Sequence, residues 1–197
     1  MRLGDTVTII GLGAIGLIAV EMARKAGAET IIAVDPLEPR RKWAKDHGAD
    51  YVLDPSECDV ALEVHHLTSG KGTDISIEVA GSYAALASAI RCTRNMGTVC
   101  SAGFYQGEAR DLWLGREWHH NRLNIVIPHG CGWGHVPRDY PLWDEMRAYD
   151  TMVSLLRKGY LDFSGLIHPV VSLEEGPKVW ELIENRPAEV IKYAVKF

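Results

Sequence analysis

The chain alternates between short runs of apolar, β-branched residues and longer stretches in which apolar residues recur at helical spacing. The first pattern predicts strands at residues 6–10, 30–34, 51–53, 74–80, 97–101 and 122–127. The second predicts helices at residues 17–26 and 38–47, one capped by Ser56 that runs to about residue 67, and one capped by Ser82 that runs to about residue 94. Strands and helices that alternate in this way predict an α/β fold with a doubly wound parallel sheet.

The rhythm of the pattern changes near residue 130. Residues 129–141 are predicted to form a loop rich in Gly, Trp and Pro, and residues 143–158 an amphipathic helix. An extended segment at 168–171, a helix at 173–185 and a strand at 190–195 follow. We therefore predict a sheet domain at residues 1–130 and a C-terminal extension at residues 131–197 that completes it with a helix and a strand.

The first predicted strand runs directly into a Gly-x-Gly-x-x-Gly turn formed by Gly11, Gly13 and Gly16, and a helix follows at once. Gly11 permits the sharp turn, Gly13 leaves room for a diphosphate, and Gly16 lets the helix pack closely on the strand. Backbone N–H groups at the start of such a helix bind the diphosphate of a dinucleotide. This context predicts a six-stranded Rossmann sheet, and the alternative is a buried Gly-rich turn without a ligand.

Asp35 ends the second strand about 20 residues after Gly16, where the fingerprint places the acid that accepts the adenosine ribose hydroxyls. A carboxylate at this point repels the 2′-phosphate of NADP, so NAD is favoured as the cofactor over NADP. The neighbouring Arg40 and Arg41 weaken that preference without reversing it. The alternative for Asp35 is a structural role as a cap for the helix that follows Pro36.

Composition argues against several kinds of partner. The 197 residues carry a net charge of −5 without a basic block, so neither a nucleic acid nor an anionic membrane is expected as a partner. The longest apolar run, residues 7–20, is too short to span a bilayer, and the first strand begins too close to Met1 for a secretory signal. The 4 cysteines form no C-x-x-C pair, which predicts free thiols and a cytoplasmic protein.

Histidines and tryptophans provide further candidates. His119 and His120 are adjacent, and Cys131 and His135 lie four residues apart, but no short motif joins these groups into a tetrahedral metal site. We therefore favour a hydrogen-bonded His119 or His120 that caps a loop near the sixth strand over a zinc site on this chain. The tryptophans between residues 113 and 143 are equally compatible with a substrate wall and with packing at an interface.

Taken in order, these motifs resemble the cofactor domain of the zinc-type medium-chain alcohol dehydrogenases and reductases, and the resemblance covers the whole chain. Residues 117–122 are similar to a threonine-dehydrogenase-like branch of that family. The matching segments are residues 4–7, 11–16, 26–28, 34–35, 47–50, 74–81 and 191–195.

The resemblance implies a set of contacts to NAD(H). In the family, the fingerprint turn holds the diphosphate, the acid holds the adenosine ribose and a nearby basic residue flanks the adenosine. Residues after the fourth and fifth strands line the nicotinamide half. The implied contacts are Gly11, Leu12, Gly13, Ala14, Ile15, Gly16, Asp35, Pro36, Arg40, Val79, Ala80, Gly81, Ala102, Gly103 and Phe104. No catalytic or metal-binding residue is assigned to this chain.

The resemblance also implies a part that this chain lacks. Family members carry, before the first strand, a catalytic domain in which Cys, His and acidic residues hold zinc, and this sequence contains no Gly-His-Glu motif. We therefore expect the cofactor half of an NAD-dependent oxidoreductase, whose complete form transfers a hydride between the nicotinamide and an alcohol, polyol or ketone. Zinc is expected only in the missing catalytic domain, and the chain alone is not expected to be catalytically competent.

Two further expectations concern partners and function class. In the family, the sixth strand pairs with its counterpart in a second subunit, which implies a homodimer. The alternative function is a stand-alone dinucleotide-binding module that regulates a partner without catalysis. The sequence leaves the substrate and the stereochemistry of the reaction open.

Overall fold

In a computed structural model that describes residues 1–128 and 144–197, six parallel strands form the central sheet. The strands are β1 (Thr6–Ile10), β2 (Thr30–Val34), β3 (Tyr51–Leu53), β4 (Thr73–Glu78), β5 (Thr93–Ser101) and β6 (Asn124–Val126). Their spatial order is β3-β2-β1-β4-β5-β6, so the direction of winding reverses between β1 and β4. The predicted α/β fold, a doubly wound parallel sheet of Rossmann type, is confirmed.

Four helices connect the strands. They are α1 (Ala14–Lys25), α2 (Glu38–Asp46), α3 (Val60–Leu67) and α4 (Tyr83–Cys92). Ser82 caps α4 as predicted, because its side chain accepts a hydrogen bond of 3.1 Å from an N–H group of the first turn. The prediction that Ser56 caps α3 is wrong. Asp59 is the cap and accepts two N–H groups, whereas Ser56 donates its own N–H to Asp54 in the preceding turn.

Several elements begin or end a few residues away from the prediction. Helix α1 begins at residue 14, directly after the glycine turn, and β5 begins at residue 93 rather than 97. Strand β6 is shorter than predicted, and a short helical turn (Leu114–Trp118) lies between β5 and β6, where no element was predicted. Such ends depend on hydrogen bonds between distant segments, which a local pattern does not contain.

The hydrophobic core consists of two clusters of buried residues. The first joins α1 and α2 to the sheet, and the second joins α3 and α4 to it. The first cluster includes Val7, Ile9, Leu17, Val20 and Ala44, and the second includes Ile32, Val34, Val64, Ile90 and Val99. Burial of each large aliphatic side chain stabilises the fold by roughly 1.5–3 kcal/mol. Because β2 is covered on both faces, four consecutive residues, Ile31 to Val34, are apolar and do not alternate with polar ones.

The C-terminal part contains α5 (Glu145–Arg157), α6 (Gly176–Asn185) and a two-stranded parallel sheet of β7 (Ile167–Ser172) and β8 (Lys192–Lys196). This part packs against α1, because Leu161 and Leu166 are buried and Glu21 accepts the N–H of Asp162 at 2.7 Å. The elements follow the predicted order of helix, extended segment, helix and strand. The domain boundary at residue 130 stays a prediction.

The predicted loop at residues 129–141, the candidates Cys131 and His135, and the predicted helix start at Trp143 lie outside the described residues. Asp144, the residue directly before α5, caps this helix by accepting the N–H of Arg147 at 2.8 Å. Within residues 1–128 and 144–197, no helix has the length and apolar character that crossing a membrane requires.

Candidate functional site

Three loops meet at the carboxyl edge of the sheet: the glycine turn after β1, residues 79–81 after β4, and residues 102–104 after β5. A Cβ added to Gly11 would lie 2.7 Å from the amide nitrogen of Ala80, and one added to Gly81 would lie 2.9 Å from the carbonyl oxygen of Phe104. The predicted loops are therefore brought together where the strand order reverses, which is where doubly wound folds bind their ligands.

The three glycines of the turn have different surroundings. Gly11 has φ +93°, which other residues rarely adopt, and a Cβ on Gly16 would collide with the carbonyl oxygen of Gly11. Gly13 has an ordinary φ of −66°, and no atom lies within 4 Å of an added Cβ. Helix α1 has no side-chain cap. The protein thus leaves open space beside the helix start, whose N–H groups favour an anion.

Leu12 differs from its neighbours in the turn. Its side chain is fully buried, and its N–H donates to Oδ2 of Asp35 at 2.7 Å. Its amide therefore holds the glycine turn against the end of β2. The amides of Ala14, Ile15 and Gly16, in the first turn of α1, are left as the candidates for binding a diphosphate.

Asp35 is 4% exposed and ties two segments together. Besides the bond from Leu12, its Oδ1 accepts the N–H of Leu37 at 2.8 Å. The structural alternative is therefore correct in part, although the N-cap of α2 is Leu37 and has no side-chain bond. A carboxylate has room for about four hydrogen bonds, so Asp35 retains capacity for hydroxyl donors. It borders a cavity together with Pro36.

The two arginines near Asp35 have unequal partners. Arg41 donates to the carbonyl oxygen of Asp35 and pairs with Oδ2 of Asp54, both at 2.7 Å. An Nη of Arg40 lies 3.8 Å from Oδ2 of Asp35, and the other donates to the carbonyl of Val190 at 3.4 Å. The buried Nε of Arg40 has no hydrogen-bond partner among the residues described. Of the two arginines, Arg40 therefore has the longer and weaker contacts to its partners.

The loops after β4 and β5 are held together by Glu78. Its carbonyl oxygen accepts the N–H groups of Ala102 and Gly103 at 2.9 and 3.0 Å. A Cβ on Gly103 would lie 2.6 Å from Gly81, so the two loops pack without room for a side chain. Val79 is partly buried in this region, whereas Ala80, Ala102 and Phe104 are exposed.

The side chain of Glu78 is a feature that the sequence analysis missed. It is fully buried, its Oε1 accepts the N–H groups of Ala80 and Gly81 at 2.8 Å each, and its Oε2 accepts the hydroxyl of Tyr105. The Tyr105 hydroxyl also lies 2.9 Å from Oγ of Ser101. Burial, together with the bond to Glu78, raises the pKa of the Tyr105 phenol. The available signal was an acidic residue at the end of a strand that the pattern places inside the sheet.

A cavity of about 490 Å³ opens beside Asp35 and runs between α3 and α4. At its far end, Arg91 and Asp59 form an ion pair of 2.8 Å. The lining residues that the sequence analysis missed include Pro55, Cys58, Asp59, Ser88 and Arg91. A more open depression of about 640 Å³ is lined only by residues 144–158 and contains none of the predicted site residues.

The described residues do not provide a metal centre. Within residues 1–128 and 144–197, no group of three His, Cys, Asp or Glu side chains is arranged to hold a metal ion. His119 and His120 are exposed, with ring centroids 5.5 Å apart in an edge-on arrangement. In the part of the chain described, neither ring has a hydrogen bond, which differs from the hydrogen-bonded histidines that we favoured.

Comparison with known proteins assigns a family. The profile of the family described as "Zinc-binding dehydrogenase" matches residues 14–145. A D-guloside 3-dehydrogenase of Escherichia coli (strain K12) is 39% identical over 198 residues, which cover 100% of this chain and 56% of that protein. An L-threonine 3-dehydrogenase of Pyrococcus horikoshii is 38% identical over 105 residues, 53% of this chain and 30% of that protein.

A solved structure supports the same assignment. The putative zinc-binding dehydrogenase of Sinorhizobium meliloti 1021, bound to NADP, is 28% identical with a TM-score of 0.73, covering 98% of this chain and 52% of that one. The chain spans about half the length of the curated relatives that match it from end to end. The matched residues, the sheet order and the glycine turn together show that this chain belongs to the zinc-binding dehydrogenase family and corresponds to its cofactor-binding domain.

Proposed function

We propose that this chain is the NAD(H)-binding part of an oxidoreductase that transfers a hydride between the nicotinamide and an alcohol, polyol or ketone. The observation that carries the proposal is the open space at Gly13, beside an uncapped helix start and on the same edge as Asp35. Bound NAD(H) would supply the hydride acceptor or donor.

The proposed contacts divide into three groups. Gly11, Gly13, Ala14, Ile15 and Gly16 surround the diphosphate, and Leu12 contributes by holding Asp35. Asp35, Pro36 and Arg40 lie at the adenosine, and residues 79–81 and 102–104 line the nicotinamide half. The cavity beside Asp35 supports the adenosine assignment, since it opens from the glycine turn.

NAD is the proposed cofactor, with NADP less favoured. A buried carboxylate at Asp35 opposes a 2′-phosphate, and Arg41 is already paired with Asp54. Arg40 is the cation that would have to accept the phosphate, but it lies 3.8 Å from Asp35. The S. meliloti relative bound to NADP makes a direct comparison of the two cofactors necessary.

We propose that the complete enzyme, and not this chain alone, performs the reaction. Hydride transfer to or from a C–O bond requires an electrophile that polarises the oxygen. In the family this is zinc, and the described side chains do not fit a zinc ion. We assign the electrophile to the portion that the relatives contain in addition, since this chain spans about half of their length.

We also propose a homodimer that pairs the β6 strands of two subunits. In the described part of the chain β6 is an edge strand, hydrogen-bonded only to β5, and Val126 and Ile127 are 50% and 69% exposed. Light scattering of the wild-type chain and of a Val126→Pro variant tests this, since a proline at a pairing edge removes an N–H donor. The cytoplasmic location stays a prediction.

The first experiment is a fluorescence titration of the purified chain with NADH and with NADPH, combined with metal analysis and an alcohol-oxidation assay. The decisive variant is Gly13→Ala. Because nothing in the protein lies within 4 Å of the added Cβ, the variant's loss of stability should come only from the poorer N-cap and amount to about 0.5–1 kcal/mol. Its affinity for NADH should nevertheless drop strongly, because the methyl group occupies the space proposed for the diphosphate.

Gly115→Ala is the matched control, since its Cβ also meets no atom within 4 Å and it lies outside the proposed contacts. NADH binding that is lost in Gly13→Ala and kept in Gly115→Ala supports the proposal. Equal binding by all three proteins contradicts the diphosphate site. Alcohol oxidation by the isolated chain would contradict the assignment of the electrophile to another portion.

A further inference from the structure

Glu78 is a buried carboxylate that the cofactor contacts proposed above do not use. Its Oε1 fixes the backbone of one loop by accepting the N–H groups of Ala80 and Gly81. Its carbonyl oxygen fixes the other loop by accepting those of Ala102 and Gly103. One residue therefore determines the backbone positions of both loops assigned to the nicotinamide half.

Tyr105 extends this network into the second loop. Its hydroxyl donates to Oε2 of Glu78 and lies 2.9 Å from Oγ of Ser101. Its ring stacks on Tyr83 with centroids 5.4 Å apart, and the Tyr83 hydroxyl donates to the carbonyl of Gly107 at 3.0 Å. The segment from residue 102 to residue 107 is thus attached at both ends.

The carboxylate of Glu78 has no Lys or Arg partner within salt-bridge distance among the described residues, so hydrogen bonds alone compensate its burial. Without the Tyr105 hydroxyl, Oε2 of Glu78 would lose the hydrogen-bond donor that it has in this structure. A buried acceptor without its donor is destabilising, and the nearest relief is movement of the loop that carries Tyr105. The raised pKa of the Tyr105 phenol agrees with a hydroxyl held in its protonated form as a donor.

We infer that Glu78 and Tyr105 are positioning residues for the nicotinamide half of the bound cofactor. The Tyr105 hydroxyl attaches residues 102–107 to a buried carboxylate that simultaneously fixes residues 79–81. This inference rests on the proposed function, in which these loops line the nicotinamide. Glu78 also holds Ala80, which lines the cavity beside Asp35, so the adenosine half is not independent of Glu78. Among the described residues, Tyr105 has no hydrogen bond to Asp35 or to the first turn of α1, so the adenosine half is expected to be independent of Tyr105.

The network itself is tested without a ligand by amide hydrogen exchange of the Tyr105→Phe variant. Peptides that cover residues 100–107 should exchange faster than in the wild-type chain, and peptides that cover β1 and β2 should not change. Tyr51→Phe is the matched control, because Tyr51 lies on β3, is 43% exposed and is outside both loops. Unchanged exchange at residues 100–107 in Tyr105→Phe would overturn the inference.

The role in cofactor positioning is tested by titration with NADH and with ADP-ribose, which lacks the nicotinamide. In Tyr105→Phe the Kd for NADH should rise about fivefold or more, while the Kd for ADP-ribose stays within about twofold of the wild type. Equal changes for both ligands, or no change for either, would refute a nicotinamide-specific role. A wild-type chain that binds neither ligand would refute the proposed function, and the exchange measurement would still decide whether the Glu78–Tyr105 bond holds the loop.

Discussion

Replacing Asp35 separates two roles that the structure combines in one side chain. Its two carboxylate oxygens accept the N–H groups of Leu12 at 2.7 Å and Leu37 at 2.8 Å. Asp35→Ala leaves both donors without their acceptor. Because Leu12 is fully buried, water cannot reach its N–H unless the glycine turn opens. The variant should therefore lose stability in addition to any loss of ribose contact.

The size of that loss follows from the bonds removed. A hydrogen bond to a charged acceptor contributes about 1.5–3 kcal/mol, so two of them contribute about 3–6 kcal/mol. Removing a buried carboxylate also removes its desolvation cost, which offsets part of the loss. We expect a net decrease of about 2–4 kcal/mol, or about 4–16 °C in Tm for a chain of this length. Asp35→Asn keeps one acceptor oxygen and should lose roughly half as much.

The assay is thermal and urea unfolding of Asp35→Ala and Asp35→Asn. Asp46→Asn, an exposed acid paired with Lys42 on α2, is the control and should leave the Tm unchanged. An unchanged Tm for Asp35→Ala would refute the reasoning. NADH and NADPH are then titrated at a temperature where the variant is folded. Weaker NADH binding with relieved exclusion of NADPH is expected, and unchanged NADH affinity would show that the carboxylate is structural only.

Three further predictions concern buried or partly buried polar groups. Thr93→Val removes a fully buried hydroxyl that lies 2.7 Å from Oγ of Ser76, and it should lower the free energy of unfolding by about 1–2 kcal/mol in a urea titration. Although burial alone would raise the pKa of Asp74, a backbone N–H of β1 and the Arg94 guanidinium hold it below its ordinary value of 3.8. The stability that this depressed pKa provides is present above pH 3.8 and lost on acidification, so Asp74→Asn should flatten the acid side of the stability curve. Burial raises the pKa of Tyr105, so the stability that this shift provides has the opposite pH dependence: it is present below pH 10.0 and is lost as the pH rises beyond it. Tyr105→Phe should therefore flatten the alkaline side of the stability curve. Ultraviolet titration of the variant should show one tyrosine fewer that ionises above the ordinary pH range of tyrosine.

The fold was predictable because its signals are local. Strands β1 and β2 are buried over four of their five residues and consist mostly of β-branched residues, and they end directly before Gly11 and Asp35. The glycine turn is likewise contained in six consecutive residues. Capping was less certain, because Ser56 and Asp59 are both good caps and only the turn at Asp54 determines which one is used.

The hydrogen-bond network of Glu78 and Tyr105 was not predictable, because its members are distant in the sequence. Glu78 and Tyr105 are separated by 27 residues, and one ends strand β4 whereas the other lies in the loop after β5, so no periodicity or spacing connects them. The same holds for Arg91 and Asp59, which lie on α4 and before α3. Their juxtaposition results from the parallel pairing of β4 with β5 and the packing of α3 on α4, which a single sequence does not encode in any local pattern.

The geometry around Asp35 bears on how this family member would discriminate between cofactors. An acid on a freely rotating side chain could turn away from a 2′-phosphate, and Arg40 could then compensate the phosphate charge. Asp35 cannot turn without leaving the buried N–H of Leu12 unpaired, so its charge stays fixed at the end of β2. On the proposed function, the bonds that stabilise the glycine turn therefore also enforce the preference for NAD. A substitution that admits NADPH should accordingly also weaken the turn that binds the diphosphate, unless a new acceptor for the Leu12 amide is provided.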